Sequence, residues 1–176
     1  MRPIILLLSL MLAGCAAQPA RAPSTAVAPP DPPQTAFLVV RHAEKVTGDT
    51  DDPVLDAPGQ RRADALAELL AEMPVSAVYA TPTRRARQTA LPIAQRHGLE
   101  VRDYDPAQPP SAFATVLHTR HAGATVVVVG HSNTVPGIVS ALCACPVAPL
   151  TEQDYGDLFE VRIAADGAST LDHRRF

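Results

Sequence analysis

The chain has 176 residues, 47% of them hydrophobic and only 4% aromatic, with 18 prolines and three cysteines. Fifteen basic against 18 acidic side chains leave a formal charge of −3 at neutral pH. That balance excludes a broad polybasic surface for nucleic acid or anionic lipid, and the length suits one domain with a real core.

The first residues read as a targeting segment. Arg2 supplies a positive end, Ile4 to Leu12 a short apolar run, and Leu12-Ala13-Gly14-Cys15 a small-residue processing site. The run is too short to span a bilayer. Leu-Ala-Gly-Cys resembles a bacterial lipoprotein signal, which implies a signal peptide over 1–14 and lipid on Cys15. By the same resemblance, Ala16 implies retention at the outer membrane facing the periplasm, with an ordinary secretory signal as the alternative. Residues 15–34 carry prolines and almost no large apolar side chain, so they predict an extended tether. The membrane is then a partner only through the N-terminal lipid.

The domain is predicted over 35–176. A first strand covers 35–40, followed by a polar, acidic loop at 46–58. A helix from about Gly59 to Glu72 shows an apolar stripe at Ala63, Leu66, Ala67 and Leu70. Val75 to Ala80 form a second strand, and Thr81-Pro82 open a helix that Gly98 terminates near His97. Leu99 to Arg102 form a third strand. Ser111 then caps a helix to Arg120, and 124–129 is the fourth strand. A helix to Ala141 has Pro136 in its first turn. A loop at 143–151, a short acidic helix and a strand at Leu158–Ile163 complete the sheet. This alternation predicts an α/β fold, a three-layer α/β/α sandwich with a largely parallel central sheet.

Two of these strands end alike. Phe37-Leu38-Val39-Val40 runs into Arg41-His42, and four valines run into Gly130-His131-Ser132. Open α/β sheets keep their sites at carboxyl strand ends, so the pair suggests a two-histidine site for an anion such as phosphate.

Arg41-His42-Ala43-Glu44, the run from Thr81-Pro82 through Arg84, Arg85 and Arg87 to Gln88-Thr89, and Gly130-His131-Ser132-Asn133 resemble the three blocks of the histidine phosphatase superfamily. That superfamily includes the cofactor-dependent phosphoglycerate mutases, and the resemblance covers about residues 35–165. It implies a phosphoglycerate mutase-like fold and a metal-independent phosphomonoester hydrolase. His42 is the implied nucleophile, forming a phosphohistidine, while Arg41, Arg85 and His131 bind the phosphoryl group. The other ring nitrogen of His42 is expected to donate to a backbone carbonyl. Arg84 and Arg87 are expected at the surface, with the Thr81 hydroxyl as a helix cap.

The family's usual glutamate for protonating the leaving oxygen is missing between the second and third blocks. Asp103 or Asp105 is the candidate there, and Glu44 is another carboxylate close to the nucleophile. Compact members that lack an obvious acid act on protein phosphohistidine, which makes such a phosphatase one alternative. A lipid-anchored phosphate-binding module with little catalysis is another. The expected partner is a phosphorylated small molecule or phosphopeptide, with no nucleic acid and no cofactor. His118 and His121 lack a third ligand, so no metal is expected. With His97 and His173, they read as surface or helix-end residues. Cys143 and Cys145 read as two buried thiols, since within a helix they point apart; a strained disulfide or an intermolecular link is the alternative.

Overall fold

The computed structural model describes residues 34–48 and 51–176. The signal segment, Cys15 and the tether as far as residue 33 lie outside the described residues. Four strands, β1 (Thr35–Arg41), β2 (Val75–Ala80), β3 (Val101–Asp103) and β4 (Thr125–Gly130), pair in parallel. Two more, β5 (Asp157–Ile163) and β6 (Ser169–Arg175), join them in antiparallel fashion, giving the order β3-β2-β4-β1-β5-β6.

The side-chain period of two sorts these strands into two buried faces. Leu38, Val40, Val78, Ala80, Val127 and Val129 pack against α1 (Ala57–Leu69) and α2 (Arg84–Arg96). Their strand neighbours Phe37, Val39, Tyr79, Val126 and Val128 face α3 (Pro110–Arg120) and α4 (Val135–Cys143). Helices cover both faces, which is why the strands read as continuous apolar runs. The result is a three-layer α/β/α sandwich with a mostly parallel sheet.

Helix starts differ from the sequence reading for identifiable reasons. The Asp56 carboxylate accepts the Gly59 amide at 2.8 Å, so α1 begins at Ala57. Pro110, with its fixed φ, sits at the start of α3, so Ser111 lies inside the first turn instead of capping it. Thr81 does not cap α2 either; the Asp52 carboxylate takes the Arg84 amide at 3.0 and 3.2 Å. At the far end of α2, Gly98 has a φ of +65° and closes the helix as expected.

Three further expectations are corrected. The 151–156 segment is a set of turns, not a short helix, because the carbonyls of Thr151 and Asp154 are turned onto the Arg41 guanidinium. The sheet does not end at β5: β6, an exposed polar strand, forms its charged edge. Cys143 and Cys145 are joined in a disulfide rather than left as thiols. The helix stops at Cys143, and Ala144 takes a left-handed conformation (φ 52°), bringing the two Cα atoms within 5.2 Å. His121 is a helix-end residue, at the C-cap of α3, but it is buried against the Tyr79 hydroxyl at 3.0 Å instead of lying at the surface.

One close approach gives a stability prediction. A Cβ on Gly59 would fall 2.1 Å from the carbonyl oxygen of Glu44, a backbone atom that cannot swing aside. Gly59→Ala is expected to destabilise the fold by about 3 kcal/mol, lowering Tm by roughly 10 °C. An unchanged Tm in a thermal melt would contradict this packing.

Candidate active site

β1 and β4 are hydrogen-bonded neighbours with Arg41 opposite Gly130, so His42 and His131 emerge side by side at their carboxyl ends. The His42 amide bonds the Gly130 carbonyl at 2.9 Å, and the two imidazole centroids lie 5.2 Å apart, edge to face. A Cβ at Gly130 would come within 2.9 Å of the Tyr104 and Thr134 hydroxyls, so the backbone passes here only because position 130 has none.

The tautomer of His42 follows from its partners. Nδ1 lies 2.8 Å from the Ala43 carbonyl, which can only accept, so Nδ1 carries the proton. Nε2 lies 3.3 Å from Nε of Arg85, which can only donate, so Nε2 presents its lone pair. The expected backbone acceptor therefore exists and is Ala43. The ring is buried, and burial is the main reason its pKa drops to about 4. The Ala43 bond opposes the drop, while His131, Arg41 and Arg85 add to it. His131 is also depressed to about 4, by burial first and then by Arg85 and Arg41. Its Nε2 meets the Thr81 hydroxyl at 2.8 Å, and that hydroxyl touches Thr83 at 3.1 Å.

The two arginines are held differently. Arg85, half-buried on the first turn of α2, reaches both His42 and the Asp52 carboxylate (3.4 Å). Arg84 and Arg87 are exposed, as expected from their helix positions, and Arg87 pairs with Asp103. Arg41 is 3% exposed and gripped by the 151–155 segment. Its Nη1 donates to the carbonyls of Thr151 (2.8 Å) and Asp154 (3.2 Å), and its Nη2 to Glu152 (2.9 Å). The guanidinium lies over the Tyr155 ring at 4.2 Å. Its buried Nε has no hydrogen-bond partner among the described residues.

An open cleft of about 460 Å³ is lined by His42, His131, Arg85, Lys45, Ser132 and Glu152, among others. Pro106, Asn133 and Thr134 also border a second cavity of about 270 Å³, whose wall includes Tyr104, Phe113 and Ile138 together with the polar Asp105 and Gln108. Neither Asp103 nor Asp105 lines the two-histidine cleft: Asp103 is paired with Arg87, and Asp105 accepts the Ala107 amide at 2.9 Å. Glu44 is committed elsewhere, forked onto Arg62 at 2.6–3.0 Å. Arg62 holds the Glu44 carboxyl below the usual carboxylate range. Lys45, Asp52 and Glu152 escape sequence reasoning. Lys45 and Asp52 flank recognisable motifs without belonging to them, and Glu152 reaches the site only through the fold. Among the described residues, no group of three His, Cys, Asp or Glu side chains is placed to hold a metal ion.

A family model for the histidine phosphatase superfamily (branch 1) matches residues 37–106, which contain the first two motif blocks. An uncharacterised protein of Mycobacterium tuberculosis is 41% identical over 76 residues, 40% of this chain and 38% of that protein. The match thus takes in well under half the length of that relative. Among solved structures, the protein histidine phosphatase SixA complexed with tungstate superposes with a TM-score of 0.66 at 20% identity. That superposition covers 80% of this chain and 96% of the other. A mycobacterial glucosyl-3-phosphoglycerate phosphatase gives 0.64 at 16% identity, covering 79% and 97%. At such identities the likeness is one of fold. Over residues 37–106 the chain is thus similar in sequence to the histidine phosphatase superfamily, and over most of its length it shares the fold of these phosphatases.

Proposed function

We propose that this protein is a phosphomonoester hydrolase that works through a phosphohistidine on His42 and needs no metal ion. The match of residues 37–106 to the histidine phosphatase family model supports phosphatase-type hydrolysis by that route. The single observation that carries the reading here is the fixed tautomer of His42. A neutral imidazole with Nδ1–H anchored on Ala43 and a lone pair on Nε2 is a nucleophile at neutral pH.

In this reading the phosphoryl group enters the cleft between Nε2 of His42 and the Arg85 fork. Developing charge on its equatorial oxygens is met by Arg85, by His131 and by Nε of Arg41, the buried donor that lacks a partner among the described residues. With Thr81 donating to Nε2 of His131, that neutral ring keeps a proton on Nδ1 to offer the phosphoryl group. Water then attacks the phosphohistidine and releases phosphate. The adjoining cavity, part apolar and part polar, offers room for an organic leaving group. The envelope location, with lipid on Cys15, belongs to the same proposal.

A second reading, a phosphatase for protein phosphohistidine, is favoured by one observation: Asp103 and Asp105 both stand outside the cleft. A phosphoramidate nitrogen can be protonated before it leaves and so needs less help. SixA, whose fold this chain shares, is itself described as a protein histidine phosphatase.

The test is turnover of 4-nitrophenyl phosphate in excess chelator from pH 3.5 to 8. His42 must be neutral to attack, so kcat/KM should fall on the acid side through about pH 4 rather than 6.5. The substrate's own second ionisation, at about pH 6, is factored out first. Both histidines are depressed, so the unfolded chain binds the extra protons and stability declines as pH drops from 6.5 toward about 4. Folding is therefore followed in parallel. An enzyme limb near 6.5 would contradict the buried neutral nucleophile. Failure to turn over this ester, phosphohistidine peptides and small phosphoesters, with phosphate still bound, would leave a binding module.

A further inference from the structure

We propose that Glu152 is the acid–base carboxylate of this site, an inference that rests on the phosphohistidine reading above. The other carboxylates near the motifs are already engaged. Glu44 is forked onto Arg62, and Asp56 caps α1. Asp52 holds the α2 amide and Arg85, while Asp154 closes its own turn on Thr151. Asp103 pairs with Arg87 outside the cleft, and Asp105 accepts the Ala107 amide and borders the adjoining cavity, not the two-histidine cleft itself. Glu152 alone among these carboxylates lines the cleft, together with His42, His131, Lys45 and Ser132.

Its two oxygens are divided between partners that belong to the motifs. Oε1 accepts the Ser132 hydroxyl at 2.6 Å, and Oε2 accepts Nη2 of Arg41 at 2.9 Å. The carboxylate is thereby tied to both histidine-bearing strand ends. Its side chain is 67% exposed, so its proton can exchange with water. An ionised carboxylate here repels a phosphate dianion, and protonating it relieves that repulsion. The Ser132 bond, with the nearby positive charge of Arg41 and Lys45, holds the empty-site carboxyl below its usual range. An arriving dianion competes for Arg41 and adds negative charge, both of which raise the proton affinity of Glu152. Substrate binding thus arms the acid.

In the first step the Nε2–P bond forms as the ester P–O bond breaks, and the Glu152 proton passes to the leaving oxygen, releasing the alcohol. In the second, water oxygen bonds to phosphorus as N–P breaks. One water proton passes to Glu152, restoring its carboxyl group and a neutral His42.

The experiment compares wild-type protein with Glu152→Gln on phenyl phosphate and 4-nitrophenyl phosphate, two esters of similar shape and very different leaving-group acidity. Single-turnover phosphorylation of His42 by phenyl phosphate should slow about 100-fold in the variant. Phosphorylation by 4-nitrophenyl phosphate, whose leaving group needs no proton, should change less than about fivefold, since the term removed is the general-acid one. Loss of the base for the second step should also produce a nitrophenolate burst followed by slow turnover. Equal losses with both esters would show that Glu152 only positions Arg41 and would overturn the proposal. No loss with either would overturn it as well. A wild-type protein forming no phosphoenzyme with either ester overturns the underlying reading and this one together, a result separable from the first two.

Discussion

His42→Ala is expected to lose about 10⁴-fold or more in kcat while keeping its far-UV circular dichroism. The effect is large because the ring supplies the bond-forming atom itself. Its Nε2 lone pair faces the Arg85 guanidinium, and its Nδ1 proton is anchored 2.8 Å from Ala43. Removing the ring also leaves the Ala43 carbonyl without this donor, so a modest loss of stability should accompany the loss of activity. Adding free imidazole to the variant should restore a measurable part of the turnover, since the missing nucleophile is then supplied from solution. A variant within tenfold of wild type would show that another group attacks phosphorus.

Arg85→Ala should cost about 100- to 1,000-fold in kcat/KM. Arg85 stands 3.3 Å from the attacking nitrogen and is the guanidinium that lines the cleft. The Asp52 partner is 43% exposed, so breaking that pair should matter little to stability, and the loss should appear in catalysis. Arg85→Lys should recover only a small part, because an ammonium cannot present the planar fork to two phosphoryl oxygens. Arg84→Ala and Arg87→Ala are the internal comparison: both side chains are exposed, and neither lines the cleft. Comparable losses at Arg84 or Arg87 would mean that the phosphate-facing arginine has been misassigned.

The parts of this molecule legible in the sequence are those dictated by local rules. β1 and β4 are buried on both faces between helix layers, so they appear as unbroken apolar runs, and each ends on a histidine. Parallel pairing of such strands then brings His42 and His131 together without further information. Arg85 is singled out by the resemblance, from its place between Thr81-Pro82 and Gln88-Thr89, and helical geometry agrees in part, since it shares a face with Gln88 and cannot point the same way as Arg84. What stayed hidden depends on the fold or on unusual backbone. β6 lies at an edge with mostly polar, exposed side chains, so neither alternation nor hydrophobicity announces it. The Cys143–Cys145 bond needs the left-handed Ala144, a conformation rare outside glycine.

The largest gap concerned the carboxylate. The family resemblance points to the interval between the second and third motifs, where Asp103 and Asp105 lie. In the fold those two face other partners, while a residue 111 positions beyond Arg41 comes to rest against it. No local pattern encodes that contact. It arises because the chain leaves α4, turns through 144–156 and enters β5 alongside β1, carrying the turn across the carboxyl end of β1.

The measurement that tests the central claim most directly is a rapid-quench reaction with a ³²P-labelled aryl phosphate in excess chelator. The account predicts protein-bound label that is stable to base and labile to acid, reaches about one equivalent per site, and maps to the peptide containing His42. It should decay at the rate of the second step and be absent from His42→Ala. Turnover with no trapped label, or label mapped to any other residue, would contradict a phosphohistidine on His42.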